Sequence, residues 1–217
     1  MRVFIRAVAF AFIGVFLLVG SLNVEVRAQT ASLVIYLDVK GQLYSVPTTG
    51  GDAVPLTPKT LVVERFRVLP NGFVVVVDSK NQIYSIPVAG GTPTRLDSDS
   101  YPNYEGGILP SADGEWIVYI TKGKPQLMSV SIRGGDPVEL VPENQTIVLN
   151  PYEVHSLYTI SPDNKYVLFT AKSGRGVFNL FAVPIAGGDA VQINDRLASG
   201  GNVVNVRVSG DHVVYSC

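Results

Sequence analysis

The chain is poor in the residues on which most catalytic, metal-binding and disulfide-stabilised proteins depend. Its 217 residues include one cysteine, Cys217 at the end, so no disulfide framework can form within the chain. Two histidines, His155 and His212, lie away from any plausible nucleophile, and no G-x-S-x-G elbow is present. Zinc-type Cys/His spacings and calcium loops of alternating acids are absent from the sequence as well. We therefore expect no catalytic residue, no metal site and no cofactor.

The first 28 residues have the pattern of a secretory signal peptide. Arg2 and Arg6 form a basic start, the 14 residues from 7 to 20 are apolar, and the tripeptide 26–28 predicts cleavage after Ala28. An uncleaved membrane anchor is the alternative, although a membrane-spanning helix needs about 20 apolar residues. We expect an exported protein, periplasmic or extracellular, with no stable membrane span once the signal is cleaved.

Charge is scarce in the rest of the chain and slightly acidic. Charged residues make up 16% of the sequence and hydrophobic residues 47%, a balance typical of a globular protein. Removing three arginines and Glu25 with the signal leaves 14 basic and 17 acidic residues, a net charge of −3. Nucleic-acid binding depends on a basic surface, so we expect no nucleic-acid partner.

One unit recurs along the sequence. Glycine pairs at 50–51, 90–91, 134–135 and 187–188 are spaced by 40, 44 and 53 residues. They lie in similar segments, among them "LYSVPTTGGDAVPLTP" (43–58) and "LFAVPIAGGDAVQIND" (180–195), each preceded by an apolar segment such as "FVVVV" (73–77). The repeats are centred on 33–57, 61–97, 104–141 and 153–194, with a partial copy at 202–217. Self-similarity at this period indicates a repeat architecture.

Each unit predicts four short antiparallel strands, which we name A to D. An Asp- or Asn-containing turn joins A to B, and the apolar B strand is predicted to be buried between neighbouring sheets. A Gly-Gly turn joins C to D, where positive φ angles carry no Cβ penalty. The D strand ends on an apolar anchor: Leu56, Leu96, Leu140 or Ile193. Such units predict an all-β β-propeller over residues 29–217, with a β-sandwich as the alternative.

The last full copy carries a family resemblance. "ISPDNKYVLFTAKSG" (160–174) and "NLFAVPIAGGDAVQIN" (179–194) resemble the WD-like repeat of TolB-type periplasmic β-propellers, which is also found in prolyl-oligopeptidase-like enzymes. The resemblance covers about residues 32–217 and implies the propeller fold and a role in envelope protein contacts. The α/β domain that precedes the TolB propeller has no counterpart after Ala28, so only the repeat carries over.

The number of strands leaves the ring incomplete. The sequence supplies B, C and D of a first blade, three full blades, and A and B of a further one. We expect about four blades of a truncated ring whose parent has five to eight. The alternative is a four-bladed ring in which the strand at 202–208 completes the first blade.

One face of the propeller is the candidate binding surface. The A–B and C–D turns repeat closely and predict a structural face, whereas the B–C and D–A connections on the opposite face vary and carry basic and aromatic residues. An ordinary solvated face is the alternative, because Lys keeps exposed hairpins soluble and Tyr near strand ends covers the core. The candidate residues are Lys40, Lys80, Tyr101, Tyr104, Glu105, Lys122, Lys124, Tyr152, Glu153, Lys172 and Arg175.

Three functions fit these observations. The leading hypothesis is an exported non-catalytic propeller, a scaffold that binds a protein or a glycan on its irregular-loop face. The second is the propeller portion of a secreted prolyl-oligopeptidase-like hydrolase whose catalytic domain is missing from this chain. The third is a ligand-sensing propeller of a membrane-anchored protein.

Overall fold

The computed structural model describes residues 32–97, 107–121, 126–141, 158–173, 177–197, 201–210 and 212–217. Over these residues the chain is all-β. The strands are β1 Leu33–Leu37, β2 Leu43–Pro47, β3 Val54–Pro55, β4 Val63–Val68, β5 Phe73–Asp78, β6 Ile83–Pro87, β7 Thr94–Asp97, β8 Ile108–Pro110, β9 Trp116–Ile120, β10 Leu127–Ser131, β11 Val138–Glu139, β12 Tyr158–Ile160, β13 Tyr166–Ser173, β14 Val177–Pro184, β15 Val191–Gln192, β16 Val204–Ser209 and β17 His212–Ser216.

The strands form five antiparallel sheets in chain order. The second, third and fourth sheets have four strands each: β4 to β7, β8 to β11, and β12 to β15. The first sheet has β1, β2 and β3, which correspond to strands B, C and D, and the fifth has β16 and β17, which correspond to A and B. This succession of four-stranded antiparallel units confirms the predicted fold class, a partial β-propeller with about four blades.

The four-bladed alternative is wrong. It requires the strand near 202–208 to pair with β1, but β16 pairs with β17 in a sheet of its own. The hairpin is held on the fourth sheet instead, because the Val203 N–H donates to the Phe178 carbonyl at 2.9 Å. The side chains of Val203 and Val206 also pack against the buried Leu180.

The C–D turns form as the glycine pairs predict. In the first turn the Gly50 N–H donates to the Pro47 carbonyl at 3.0 Å, and the same bond recurs at 2.9 Å in the next three sheets. Both glycines of every pair have positive φ, for example 87° and 129° at Gly50 and Gly51. Only glycine adopts that pair of conformations without strain.

Apolar clusters between successive sheets form the core. Each cluster draws residues from two neighbouring sheets, so the sheets stack face to face and the B strands of the middle sheets are covered on both sides. In β5 the four valines 74–77 are all buried. Representative cluster members are Leu43, Leu56, Val74 and Ile86 between the first two sheets, Val75, Leu96, Ile117 and Tyr119 between the next two, Val118, Leu140, Phe169 and Val183 between the third and fourth, and Leu180 and Val206 at the fifth.

Two burial predictions fail at the first and last sheets. The B strand β1 was expected between two sheets, but Val34 and Tyr36 are exposed because the described residues place a sheet on only one of its sides. Ile193 was expected as a buried anchor but is 41% exposed, whereas Leu56, Leu96 and Leu140 are each 2% exposed. Those three pack against a following four-stranded sheet, and the described fifth sheet has only two strands.

Candidate functional site

Two matched turns present the candidate lysines Lys40 and Lys80. The β1–β2 turn reads Asp38-Val-Lys-Gly-Gln42, and the β5–β6 turn reads Asp78-Ser-Lys-Asn-Gln82. In the first, Asp38 Oδ1 accepts the backbone N–H groups of Lys40 and Gln42, both at 2.8 Å. In the second, Asp78 Oδ1 accepts the equivalent groups at 2.9 and 2.8 Å. Each aspartate therefore fixes its turn through short charge-assisted bonds, and each lysine is exposed.

The fourth position of both turns needs a left-handed backbone. Gly41 has φ 75° and Asn81 has φ 61°. Gly41 also lies against the neighbouring connection, since a Cβ added there would be 2.7 Å from Val62 Cγ1. Glycine and asparagine are the residues that adopt this conformation most readily, which explains why the motif varies between them.

The connection from β3 to β4 joins the two turns. Gln42 Nε2 donates to the Leu61 carbonyl at 3.3 Å, and the Val63 N–H donates to the Gly41 carbonyl at 2.9 Å. On the other side the Ser79 N–H donates to the Val62 carbonyl at 2.9 Å. Residues 38–42, 59–63 and 78–82 thus form one hydrogen-bonded surface, which we call the twin-turn platform.

The platform presents positive charge. Lys40, Lys59 and Lys80 are exposed on it, and the described residues provide no ion-pair partner for any of the three. Oδ1 of Asp38 and Oδ1 of Asp78 accept backbone N–H groups of their own turns, and Asp78 is buried. The three ammonium groups are therefore available to an external anionic group. Sequence reasoning missed Lys59, and it missed the two aspartates, whose signal was the motif Asp-x-Lys-x-Gln repeated 40 residues apart.

Lys172 is placed differently from the other two described lysines of the prediction. It lies within β13 rather than in a turn, paired with Phe178 of β14. Its Nζ is 5.3 Å from the centroid of the Phe178 ring, a cation–π contact within the fourth sheet. Lys172 is half-buried, and the structure does not join it to the platform. The other candidates lie outside the described residues: Tyr101, Tyr104, Glu105, Lys122, Lys124, Tyr152, Glu153 and Arg175.

The opposite face is held together by turn-to-turn bonds. Asn71 Nδ2, in the A–B turn of the second sheet, donates to the Gly114 carbonyl of the third at 2.7 Å. The Ala112 N–H of the third sheet donates to Asn164 Oδ1 of the fourth at 2.8 Å. These bonds link three successive A–B turns, so this face has the structural role that its regular sequence predicts.

The acidic residues of those turns are turn formers. Asp163 Oδ1 accepts the Ser161 hydroxyl at 2.5 Å and the Lys165 N–H at 3.1 Å. The hydrogen bond from Ser161 lowers the pKa of this carboxyl, with the Lys165 N–H acting in the same direction. Asp113 makes the corresponding bonds to Ser111 and Glu115 in the third sheet. Asp211, the third acid of this pattern, lies outside the described residues.

In the described part of the chain, no group of three or more His, Cys, Asp or Glu side chains converges as a metal site would require. Cys217 is a free thiol on the surface. Over the same ranges, no helix has the length and apolar character needed to cross a membrane.

Comparison with known proteins gives structural likenesses of low identity. No protein-family model and no curated protein sequence matches the chain. A TolB protein of Agrobacterium tumefaciens is similar over 84% of this chain and 65% of its own, at 20% identity and a TM-score of 0.45. TolB of Acinetobacter baumannii is similar over 84% and 46%, at 14% identity and a TM-score of 0.45. A puromycin hydrolase is similar over 84% and 31%, at 14% identity and a TM-score of 0.46.

This chain spans less than two thirds of the length of each of those three structures. With every TM-score below 0.5, the propeller assignment depends on the strand order, register and inter-sheet cores of the chain itself.

Proposed function

We propose that this chain is an exported, non-catalytic β-propeller module of the TolB-like kind that binds a protein partner through its twin-turn platform. The observation that carries the proposal is the pair of Asp-x-Lys-x-Gln turns, locked to one connection and presenting three lysines without ion-pair partners among the described residues. Turns that are already held by hydrogen bonds lose little conformational entropy when a partner binds, so less of the binding energy is spent on ordering them.

The chemistry of the platform selects an acidic partner segment. Lysines presented on fixed backbone recognise carboxylates as point charges, and they steer a negatively charged partner into place. Leu61 and Val63 are buried beneath the platform, whereas Val39 and Val62 are exposed on it beside the lysines. An acidic loop or tail of a second protein that also carries an apolar side chain fits this mixed surface.

The first experiment identifies the partner in the compartment where the protein resides. A photo-reactive amino acid is placed at position 59, between the two turns, and at position 133, which lies on a C–D turn of the opposite face. The proposal expects a specific adduct from position 59 and none from position 133. A protein adduct from position 133 alone would contradict the proposal, because it would place the binding surface on the opposite face. A glycan adduct would show that the partner is a glycan rather than a protein.

The second experiment measures the contribution of charge with the identified partner. The double variant Lys40→Glu/Lys80→Glu is compared with Arg133→Glu/Lys165→Glu, which changes the net charge equally on the structural face. Exposed ion pairs contribute about 0.2–1 kcal/mol each, so the platform variant should bind about 2- to 30-fold more weakly. The control variant should bind like the unmodified protein. Equal affinity of all three proteins contradicts the proposal.

A catalytic role is tested separately. The exported protein is assayed against aminoacyl and dipeptidyl reporter substrates, with the expectation of no turnover. Turnover that co-purifies with the chain and scales with its concentration would favour the hydrolase hypothesis instead.

A further inference from the structure

Among the described residues, no sheet lies against the apolar front of the first sheet. Ile35 and Leu37 of β1 pack toward the second sheet, and successive residues of a strand point to opposite sides. Val34 and Tyr36 therefore lie on the other side, where Val34 is 46% and Tyr36 39% exposed. Their cross-strand partners on β2 are Val46 and Tyr44. We call these four residues the front face of the first sheet.

The same four positions are occupied by core residues in the next three sheets. The cross-strand register is the same in all four sheets, so the positions can be compared one by one. Each front face has one aliphatic pair and one pair that includes an aromatic residue. The aliphatic pairs are Val34–Val46, Val74–Ile86, Ile117–Val130 and Val167–Val183, and the aromatic-containing pairs are Tyr36–Tyr44, Val76–Tyr84, Tyr119–Met128 and Phe169–Phe181. In the three later sheets every residue of the aliphatic pairs is at most 1% exposed.

The aromatic pair of the first sheet has the geometry of a buried one. Tyr36 and Tyr44 stack with centroids 5.4 Å apart and planes 16° apart. Phe169 and Phe181 stack at 5.6 Å and 18°, and that pair is buried against the third sheet. The front face of the first sheet thus has the residues and the ring geometry of the interfaces that join the other sheets.

The surface that covers a front face elsewhere in the molecule is the back of the preceding sheet. At the fifth sheet, Val213 and Tyr215 of β17 pack toward the fourth sheet, which leaves Val214 on the other side at 61% exposure. Val204 of β16 is 47% exposed on the same side, and Arg207 is the partner of Val214 in the register. We call Val204, Arg207 and Val214 the back face of the fifth sheet.

We infer that two copies of the chain associate head to tail, with the back face of one copy stacked on the front face of the other. The exposure of Val34 and Val214 shows that these two faces do not cover each other within one chain. The front face has no charged residue, so the one cation of the back face, Arg207, meets aromatic rings rather than a like charge. Arg133 lies 5.3 Å over the Phe73 ring between the second and third sheets, which is the same kind of contact.

The experiment is sedimentation velocity of the full chain as exported, from about 1 to 100 µM. The expected result is concentration-dependent association, lost in Val34→Lys and lost equally in Val214→Lys, with affinity at least about 30-fold weaker in each. Val191→Lys is the matched control, because Val191 is also 61% exposed but lies on β15, on neither face. The control variant should associate like the unmodified protein, and circular dichroism should show all three variants folded.

Mixing the two defective variants tests the head-to-tail arrangement. Val34→Lys keeps its back face and Val214→Lys keeps its front face, so an equimolar mixture should form a dimer although neither variant does alone. A monomer at every concentration would overturn the inference. Loss of association in Val34→Lys but not in Val214→Lys would also overturn it, because that result indicates two front faces in contact. A mixture of the two variants that stays monomeric would overturn it as well.

Discussion

Two serines at equivalent positions are expected to affect stability in opposite directions. Ser85 of β6 and Ser129 of β10 both lie in the C strand and are at most 1% exposed. Ser129 Oγ donates to the Ile185 carbonyl of the next sheet at 2.5 Å. Ser85 Oγ meets no hydrogen-bond partner among the described residues. The fourth sheet has Ala182 at this position, so the fold accommodates alanine there.

The magnitudes follow from the hydrogen bonds. A buried polar group without a partner costs about 1–3 kcal/mol, and Ser→Ala removes that cost at Ser85 in return for the packing of one oxygen atom. We expect Ser85→Ala to raise the free energy of unfolding by about 1 kcal/mol. Ser129→Ala should lower it by about 1 kcal/mol, since it removes a satisfied bond between sheets. For a chain of this size each change corresponds to about 2–4 °C in Tm.

Urea unfolding monitored by circular dichroism and by Trp116 fluorescence measures both variants. Trp116 is the only tryptophan and lies in the third sheet, so its fluorescence follows one sheet while circular dichroism follows all of them. Coincident transitions would justify two-state treatment, which stacked repeats do not always satisfy. A loss of 1 kcal/mol or more on Ser85→Ala would refute the reasoning, because it would mean that the hydroxyl has a bonding partner such as bound water.

Three further predictions concern the turns. Asn164 has φ 60°, and its Oδ1 accepts a hydrogen bond from the neighbouring sheet. In thermal unfolding, Asn164→Ala should therefore destabilise the protein by about 1–3 kcal/mol. Asn164→Gly should destabilise it less, because glycine also loses the hydrogen bond but adopts the positive φ without strain. Gly41→Ala should cost more than Gly50→Ala in the same assay, since both glycines have positive φ but only at Gly41 would the new Cβ meet Val62. The pKa of Asp163 is lower in the folded state than in the unfolded one, so its contribution to stability is present at neutral pH and is lost as the pH falls below about 4. Asp163→Asn should therefore reduce the acid dependence of the urea midpoint between about pH 5 and pH 3, and an unchanged dependence would contradict the assigned hydrogen bonds.

The local repeat was enough to predict the sheets. The glycine pairs require positive φ whatever surrounds them, and an apolar run of about five residues between turn signals specifies a short buried strand. The B strand β5 begins where the sequence predicted it, at Phe73. These features depend only on residues close together in the chain, so they can be predicted from a single sequence.

Contacts between sheets could not be predicted in the same way. Val34 and Val74 occupy the same position of the repeat, yet one is exposed and the other buried, because burial depends on which sheet lies opposite. The pairing of β16 with β17 rather than β1 likewise depends on the fit of the hairpin to Leu180, 20 or more residues earlier in the chain. Position in the repeat determines which residues are apolar, whereas the number of neighbouring sheets determines which of them are covered.

The candidate site was predicted in part. Lys40 and Lys80 were selected because they lie in B–C turns, which is where the structure has them. Two of the three bonds that connect them through residues 61–63 join backbone groups, which have no signature in side-chain sequence. Lys172 was expected in a B–C turn as well. Strands β13 and β14 have eight residues each, so Lys172 lies within the sheet and contacts Phe178 instead.

Hydrogen exchange on the partner complex tests the central claim most directly. Amide exchange is measured by mass spectrometry for the free chain and for the chain bound to the partner cross-linked at position 59. The account predicts that residues 38–42, 59–63 and 78–82 become protected together, while the A–B turns at 69–72, 111–114 and 161–164 exchange as before. Protection of those A–B turns with an unchanged twin-turn platform would contradict it.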